Sequence, residues 1–162
     1  MVEVEVIDAT QTLQFLRSLD SYTPPFEITG TYRLIDNGIM PEATIMVKAQ
    51  KKEMHEASTG VGPVDALAKV LKKALTPMFP ELNRVKLVDF ISRIFDSTSG
   101  AEAKVEVKIY FSNGESIWSC HAFSENINMA SFLALVDGYE YAILMTKKSN
   151  LEEKQPFPEI SE

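Results

Sequence analysis

Glu56-Ala57-Ser58-Thr59-Gly60-Val61-Gly62-Pro63-Val64-Asp65-Ala66-Leu67 has an echo further along the chain, Ala122-Phe123-Ser124-Glu125-Asn126-Ile127-Asn128-Met129-Ala130-Ser131. Each stretch leaves an extended segment, passes a turn of small residues and enters an amphipathic helix. Ala66 and Ala130 fall at equivalent helix positions, as do Leu71 and Leu135, with one constant offset of 64. A fixed internal period is read before anything else, because it decides the fold. Two copies are too few for a solenoid. They define a pseudo-symmetric domain with a seam between its halves, and such seams are common places for small ligands.

Working outward from the first turn, Phe26–Ile35 is rich in Ile, Thr and Tyr and reads as a strand. Asp36-Asn37-Gly38 is a turn. Over Glu42–Gln50, Ala43, Ile45, Val47 and Ala49 share one face, so this strand has one buried side. Lys51-Lys52 connects it to a third strand, Glu53–Ser58. Pro63 suits the first position of a helix, where no intrahelical N–H partner is needed. Val64, Leu67, Ala68, Leu71 and Leu75 then form a stripe at helical spacing, closed by Pro77 and Pro80. The lysines at 69, 72 and 73 read as the solvated end of that helix.

The second copy has the same order. Val85–Phe95 is a strand, Ser97–Gly100 a turn, and Glu102–Phe111 alternates strictly, with Asn113-Gly114 signalling a hairpin into Glu115–Phe123. Asn126 caps a helix running to about Met145. Ala130, Ala134, Gly138 and Ala142 give that helix a flat stripe able to approach a sheet closely. Phe132, Leu133, Val136, Tyr139 and Ile143 cover much of its remaining surface, so it should be buried on a second side, expected to be a partner subunit. The fold class is therefore α+β: two pseudo-symmetric β-β-β-α units with helices packed on antiparallel sheets. Residues 1–25 are a lead-in segment or linker containing a short helix over Thr10–Leu19. Residues 26–146 form the domain, with repeats at 26–80 and 85–146, and residues 147–162 are a disordered tail.

The 162 residues carry a net charge of −7, with no basic stripe, which argues against nucleic acid or an anionic membrane as partner. No apolar run approaches the roughly 20 residues of a membrane span. The N-terminus lacks the basic start and apolar block of an export signal, and Cys120 is the only cysteine, so a cytoplasmic location is expected and an intrachain disulfide is ruled out. His55 and His121, the only histidines, sit in different repeats with no Cys/His/Asp cluster, so neither a metal site nor a catalytic constellation is expected. No glycine-rich loop matches a nucleotide fingerprint, and no cofactor is implied.

Four blocks of sequence resemble the C-terminal regulatory domain of 2-isopropylmalate and citramalate synthases. Gly60-Val61-Gly62-Pro63-Val64-Asp65-Ala66-Leu67 resembles that family's G-x-G-P-V-D-A-L signature. Leu87-Val88-Asp89-Phe90 with Arg93-Ile94 resembles its L-x-D-Y-x-x-R segment, with Phe90 in the place of the tyrosine. Gly100-Ala101-Glu102-Ala103-Lys104-Val105 resembles a G-T-x-A-x-V strand start. Trp118, Ser124-Glu125-Asn126-Ile127, Ala130-Ser131, Ala134-Leu135, Asp137 and Tyr141 resemble its closing block. The resemblance covers about residues 26–146. It implies a homodimerising allosteric module, not itself an enzyme, that binds a pathway end product such as leucine or isoleucine and inhibits a synthase domain present in cis or in trans. The metal-binding histidine motif of that family's catalytic barrel is absent from this sequence. Where the family has valine-glycine-valine, this chain has His121-Ala122-Phe123, and the larger Phe123 could narrow the pocket.

The chemistry of the first turn fits such an effector. A helix preceded by Gly-x-Gly-Pro offers unpaired N–H groups and a positive dipole end to a carboxylate, and Gly60 and Gly62 would let a ligand approach the backbone. The same residues also describe an ordinary tight strand-to-helix turn. Asp65 either caps the helix or attracts a ligand ammonium. By resemblance, Leu87, Phe90, Ile94, Ala101 and Ala103 supply the apolar wall, with Val61 and Val64 from the helix start; each is also credible as plain core. Asp89 and Arg93, four apart on a strand, read as an ion pair, and Cys120 as a small strand residue. A dimerisation module that has lost its ligand, with Phe123 filling the pocket, is the alternative reading. An independent enzyme is a third.

Overall fold

The computed structural model of the chain describes residues 4–95 and 103–154. The first unit contains two short strands, β2 (Glu27–Ile28) and β3 (Arg33–Ile35), then β4 (Glu42–Ala49), β5 (Lys52–Thr59) and helix α2 (Pro63–Leu75). A 3-10 helix, Pro80–Arg84, leads into the second unit: β6 (Lys86–Phe95), β7 (Lys104–Ser112), β8 (Ile117–Ser124) and α3 (Ile127–Lys154). Ahead of both stand β1 (Val6–Asp8) and α1 (Ala9–Arg17). The duplicated β-β-β-α plan of an α+β fold is therefore present.

Each unit forms its own sheet. In the first, β4 pairs antiparallel with β2, β3 and β5. In the second, the strand order is β1-β8-β7-β6, antiparallel except for the parallel β1–β8 pair. The alternation of β4 does what its pattern predicts: Ala43, Ile45, Val47 and Ala49 are buried against α2. On α2, Ala66, Leu67, Val70, Leu71, Ala74 and Leu75 are buried, while Asp65 lies in its first turn and Lys72 and Lys73 in its last.

The small-residue stripe of α3 meets its sheet as expected. The Trp118 indole N–H donates to the Gly138 carbonyl at 3.1 Å, and a Cβ at Gly138 would overlap the Phe111 ring. Phe111 stacks on Trp118 at 5.9 Å and meets Tyr139 edge-on at 5.8 Å. Much of the second side of α3 is covered within this same chain, while Leu133 stays exposed. Tyr139 donates to the Ala68 carbonyl of α2 at 3.4 Å, and Phe132 packs on Tyr32 at 4.9 Å.

The lead-in segment is part of the domain. β1 extends the second sheet, and α1 is clamped to α3 by the Arg17 guanidinium, 2.8 Å from Asp137 and 2.7 Å from Glu140. The Thr10 hydroxyl donates to Asp137 and accepts the His121 N–H. Burial pushes the Glu140 carboxyl up, with Arg17 opposing that shift.

Three other expectations change. The Phe26–Ile35 strand is broken at Gly30, whose φ of +71° turns the chain out of extended geometry. The last helix does not stop near Met145. It continues through Lys154, because Leu151, Glu152, Glu153 and Lys154 are good helix formers and the next proline is Pro156. The Asp89–Arg93 pair is not made: Arg93 reaches across to Glu106 at 2.7 Å, and Asp89 accepts the Phe90 N–H. The turn at Ser97–Gly100 lies outside the described residues.

Candidate functional site

The strand-to-helix turn of the first unit is built around Gly60. Its N–H donates to the Pro41 carbonyl at 3.1 Å, and a Cβ there would overlap the backbone of Ala66 in the first turn of α2. This glycine is small so that the strand end can lie on the helix, not so that a ligand can approach. Gly62 is different. It is the N-cap of α2, has open space where a Cβ would be, and supplies no side chain to the helix start. Pro63 has no N–H, so the first-turn donors of Val64 and Asp65 are left without a capping side chain.

Asp65 makes its contacts within the chain, to the turn ahead of the helix and to the next turn of α2. Its carboxylate accepts the Val61 N–H at 2.9 Å and pairs with Lys69 at 2.9 Å. Partial burial pushes this carboxyl up, but the Lys69 and Val61 hydrogen bonds outweigh it and hold it below the ordinary aspartate range. The group thus fixes the turn from outside while the helix N-terminus stays open.

A β-bulge makes the opposite wall. Within β6 the register against β7 shifts between Leu87 and Asp89. Leu87 and Phe90, three residues apart, would fall on opposite faces of a regular strand. The extra residue at Val88 puts both opposite buried partners, Phe111 and Ile109, and so on one face. That face looks toward α2 and α3. Between them lies a cleft of 470 Å³ with Val64, Asp65 and Ala68 on one side, Val85, Leu87 and Phe90 on the other, and Tyr139 of α3 completing it. The volume is within the roughly 300–1,000 Å³ of small-molecule sites. Lys69, Lys72 and Lys86 edge it.

Of the residues expected at the site, Val64, Asp65, Leu87 and Phe90 are brought together in this cleft. Gly62 stands at the adjoining N-cap. Gly60 is buried in the turn, and Val61 points outward, 92% exposed. Ile94 shares the face of Phe90 but is 74% exposed, further along the strand than the cleft reaches. Ala103 is exposed just ahead of β7, and Ala101 lies outside the described residues.

Phe123 is a correction. It pairs with Glu106, which pairs with Arg93, and this row is on the face of the sheet opposite Phe90, Ile109 and Cys120. Its ring meets Phe95 at 6.0 Å and His121 at 6.1 Å. It therefore neither fills nor narrows the cleft; the strand alternation that buries Cys120 turns Phe123 away.

Ala68, Lys72, Val85 and Tyr139 are lining residues that sequence reasoning did not assign. The signal was available for the first two, because 64, 68 and 72 follow one another at i, i+4 on α2. Lys72 is not a solvated helix end: its ammonium donates to the Val85 carbonyl at 2.9 Å, tying α2 to the start of β6. Burial, with Lys86 adding to it, pushes its pKa down. Lys73 likewise donates to the Ala57 carbonyl at 3.0 Å. Cys120 is buried and its thiol is pushed up by that burial, as a strand core residue would be. Among the described residues no three His, Cys, Asp or Glu side chains are grouped to hold a metal, and no helix is long and apolar enough to cross a membrane.

Two β-β-β-α units, joined helix to helix with an open cleft at their seam, define a duplicated domain without a convergent catalytic constellation among the described residues. The chain belongs to the LeuA allosteric (dimerisation) domain family, which it matches over residues 7–143. It is similar to (R)-citramalate synthase from Geobacter sulfurreducens, 37% identical over 147 residues that make up 87% of this chain and 28% of that protein. The (R)-citramalate synthase of Aquifex aeolicus is 36% identical over 110 residues, 68% of this chain and 21% of the relative. That of Sulfolobus acidocaldarius is 31% identical over 144 residues, 89% and 26%. The chain thus spans between a fifth and somewhat over a quarter of the length of these relatives.

Proposed function

We propose that this domain binds a branched-chain amino acid, leucine or isoleucine, in the cleft between α2 and β6, as the feedback effector of a citramalate or 2-isopropylmalate synthase, and that it holds two copies of that enzyme together. The observation that carries the reading is the uncapped start of α2 directly beside an apolar wall set by the Val88 bulge. The ligand carboxylate sits on the N–H groups of Val64 and Asp65, where the helix dipole favours an anion. Its side chain lies against Val64, Leu87 and Phe90. Binding biases a conformational equilibrium in the synthase, with a coupling of about 1–3 kcal/mol typical of such systems. Leucine, isoleucine and valine differ by single methylenes or by branching, worth about 1–3 kcal/mol in such a pocket, so the three should bind with graded affinity. Calorimetric titration with all three tests this. No heat and no thermal shift with any of them at millimolar concentration sinks the effector reading. The reason for a ligand-free dimerisation module is weakened, since Phe123 faces away from the cleft.

A further inference from the structure

We propose that the open edge of β6 is the surface through which two copies of this chain join, antiparallel, about a two-fold axis at Ile91. The inference rests on the dimer reading above and assigns it a surface and a register.

The two sheets leave unequal edges. In the second sheet β1 covers the outer side of β8, so β6 is the terminal strand at the other side. In the first sheet the terminal strands are β5 and the short β2 and β3. β5 reads Lys52-Glu53-Met54-His55-Glu56-Ala57-Ser58-Thr59, a run of charged and polar side chains that discourages strand addition. β2 and β3 are two and three residues long. β6 has ten residues, pairs on its outer side with no other strand among the described residues, and exposes Val88, Ile91, Ile94 and Phe95. A long apolar edge is a template for another strand.

The occupant is a second copy because the edge is complementary to itself. Joined about a two-fold axis, residues i and j must face j and i. With Ile91 opposite Ile91, Asp89 faces Arg93 of the second copy and Arg93 faces its Asp89. All four lie on the outer face of the sheet, the face on which Asp89, Ile91 and Arg93 pair with Tyr110, Lys108 and Glu106. Moving the centre by one residue in either direction puts both charges opposite Ile91, Leu87 or Phe95 and loses both pairs. Among the described residues Asp89 has no ion pair within its own chain, and Arg93 hydrogen-bonds only through its Nε, to Glu106, with its guanidinium over the Phe95 ring. Phe90 then stands on both the cleft wall and the join.

Light scattering on the purified chain reads the oligomer, and three variants read the register. Ile91→Cys should form an intermolecular disulfide on mild oxidation, since opposed antiparallel residues lie about 4.5–5.5 Å apart, within disulfide reach. The wild type should not, because Cys120 is buried. Asp89→Arg and Arg93→Asp should each raise the dimer dissociation constant about tenfold, from two like-charged cross-strand pairs. Mixed in equal amounts, the two variants should pair with each other and recover affinity. A wild-type dimer, combined with an Ile91→Cys variant that does not cross-link and with indifference to both charge changes, overturns the β6 assignment alone. A wild type that stays monomeric at about 100 μM overturns the dimer reading as well.

Discussion

At the N-cap of the first unit's helix stands Gly62; at the same place in the second unit, 64 residues on, stands Asn126. The Asn126 side-chain oxygen accepts the N–H groups of Asn128 and Met129 at 2.8 and 3.3 Å, so the start of α3 is satisfied by its own chain. Gly62 does none of this for α2. The pairs that carry packing, Ala66 with Ala130 and Leu71 with Leu135, are all buried. Duplication has kept the core positions and changed the turn: one helix start is closed, the other is left open beside an apolar cleft. The edges diverge in the same way. β8 is covered by β1, its counterpart β5 is guarded by charge, and only β6 is long, apolar and open among the described strands.

The largest break in this comparison should come at Gly60 and its counterpart Ser124. A Cβ at Gly60 meets rigid helix backbone, so Gly60→Ala should cost about 3 kcal/mol, near the upper range for overpacking. Ser124→Ala removes an exposed-turn hydrogen bond to the Asn126 N–H and should cost about 1 kcal/mol or less. Denaturant unfolding of both variants measures the difference. Equal costs would mean that the two turns are packed alike after all.

Next in size is the contrast between two phenylalanines on opposite faces of one sheet. Phe90→Ala removes a cleft wall and should weaken amino-acid binding by about 2 kcal/mol, some thirtyfold. Phe123→Ala should leave the binding isotherm unchanged. A matching loss at Phe123 would place the ligand elsewhere than the α2–β6 cleft.

That contrast also marks where the sequence stopped being readable. Strand alternation, the two turns and the stripe of Ala130, Ala134, Gly138 and Ala142 are local patterns, and each appears in the fold as its spacing implies. The bulge at Val88 has no such signature, so the shared face of Leu87 and Phe90 could be approached only by resemblance. The face of Phe123 follows from register across two strand pairs, which no single segment encodes. The same holds for α1: its apolar residues announce a helix, but the Arg17 clamp onto Asp137 and Glu140 joins residues more than a hundred positions apart. The apolar surface of α3 likewise does not say which neighbour hides it, and α2 and Tyr32 of the same chain cover much of it.

The cap itself can be exchanged. Gly62 has extended backbone, φ −147°, and open space at its Cβ position, so Gly62→Asn should fit and change stability by only a few tenths of a kcal/mol. Its new side-chain oxygen would occupy the N–H groups offered to a carboxylate, and effector affinity should fall about tenfold. Asn126→Gly, the reverse change in the second unit, should cost a similarly small amount of stability and leave binding untouched. Calorimetry on the pair distinguishes an open helix start that binds from one that is merely uncapped.

The smallest expected effect concerns Asp65, whose counterpart at the same offset is Met129, so only the first unit carries a carboxylate here. Its folded-state pKa is held below the ordinary aspartate value by Lys69 and the Val61 N–H, against the opposing effect of burial. A carboxyl depressed in the folded state binds fewer protons there than in the unfolded chain. It therefore contributes stability above its unfolded pKa, about 3.9, and loses it as pH falls through the lower folded value. The wild type should melt above Asp65→Asn at pH 6, and the gap should close as the pH drops below about 4. The side chain is part-exposed, so added salt should narrow the gap at pH 6 as well. A gap that is constant from pH 6 to the acid limit would assign the role of Asp65 to shape, since an asparagine can accept the Val61 N–H without a charge.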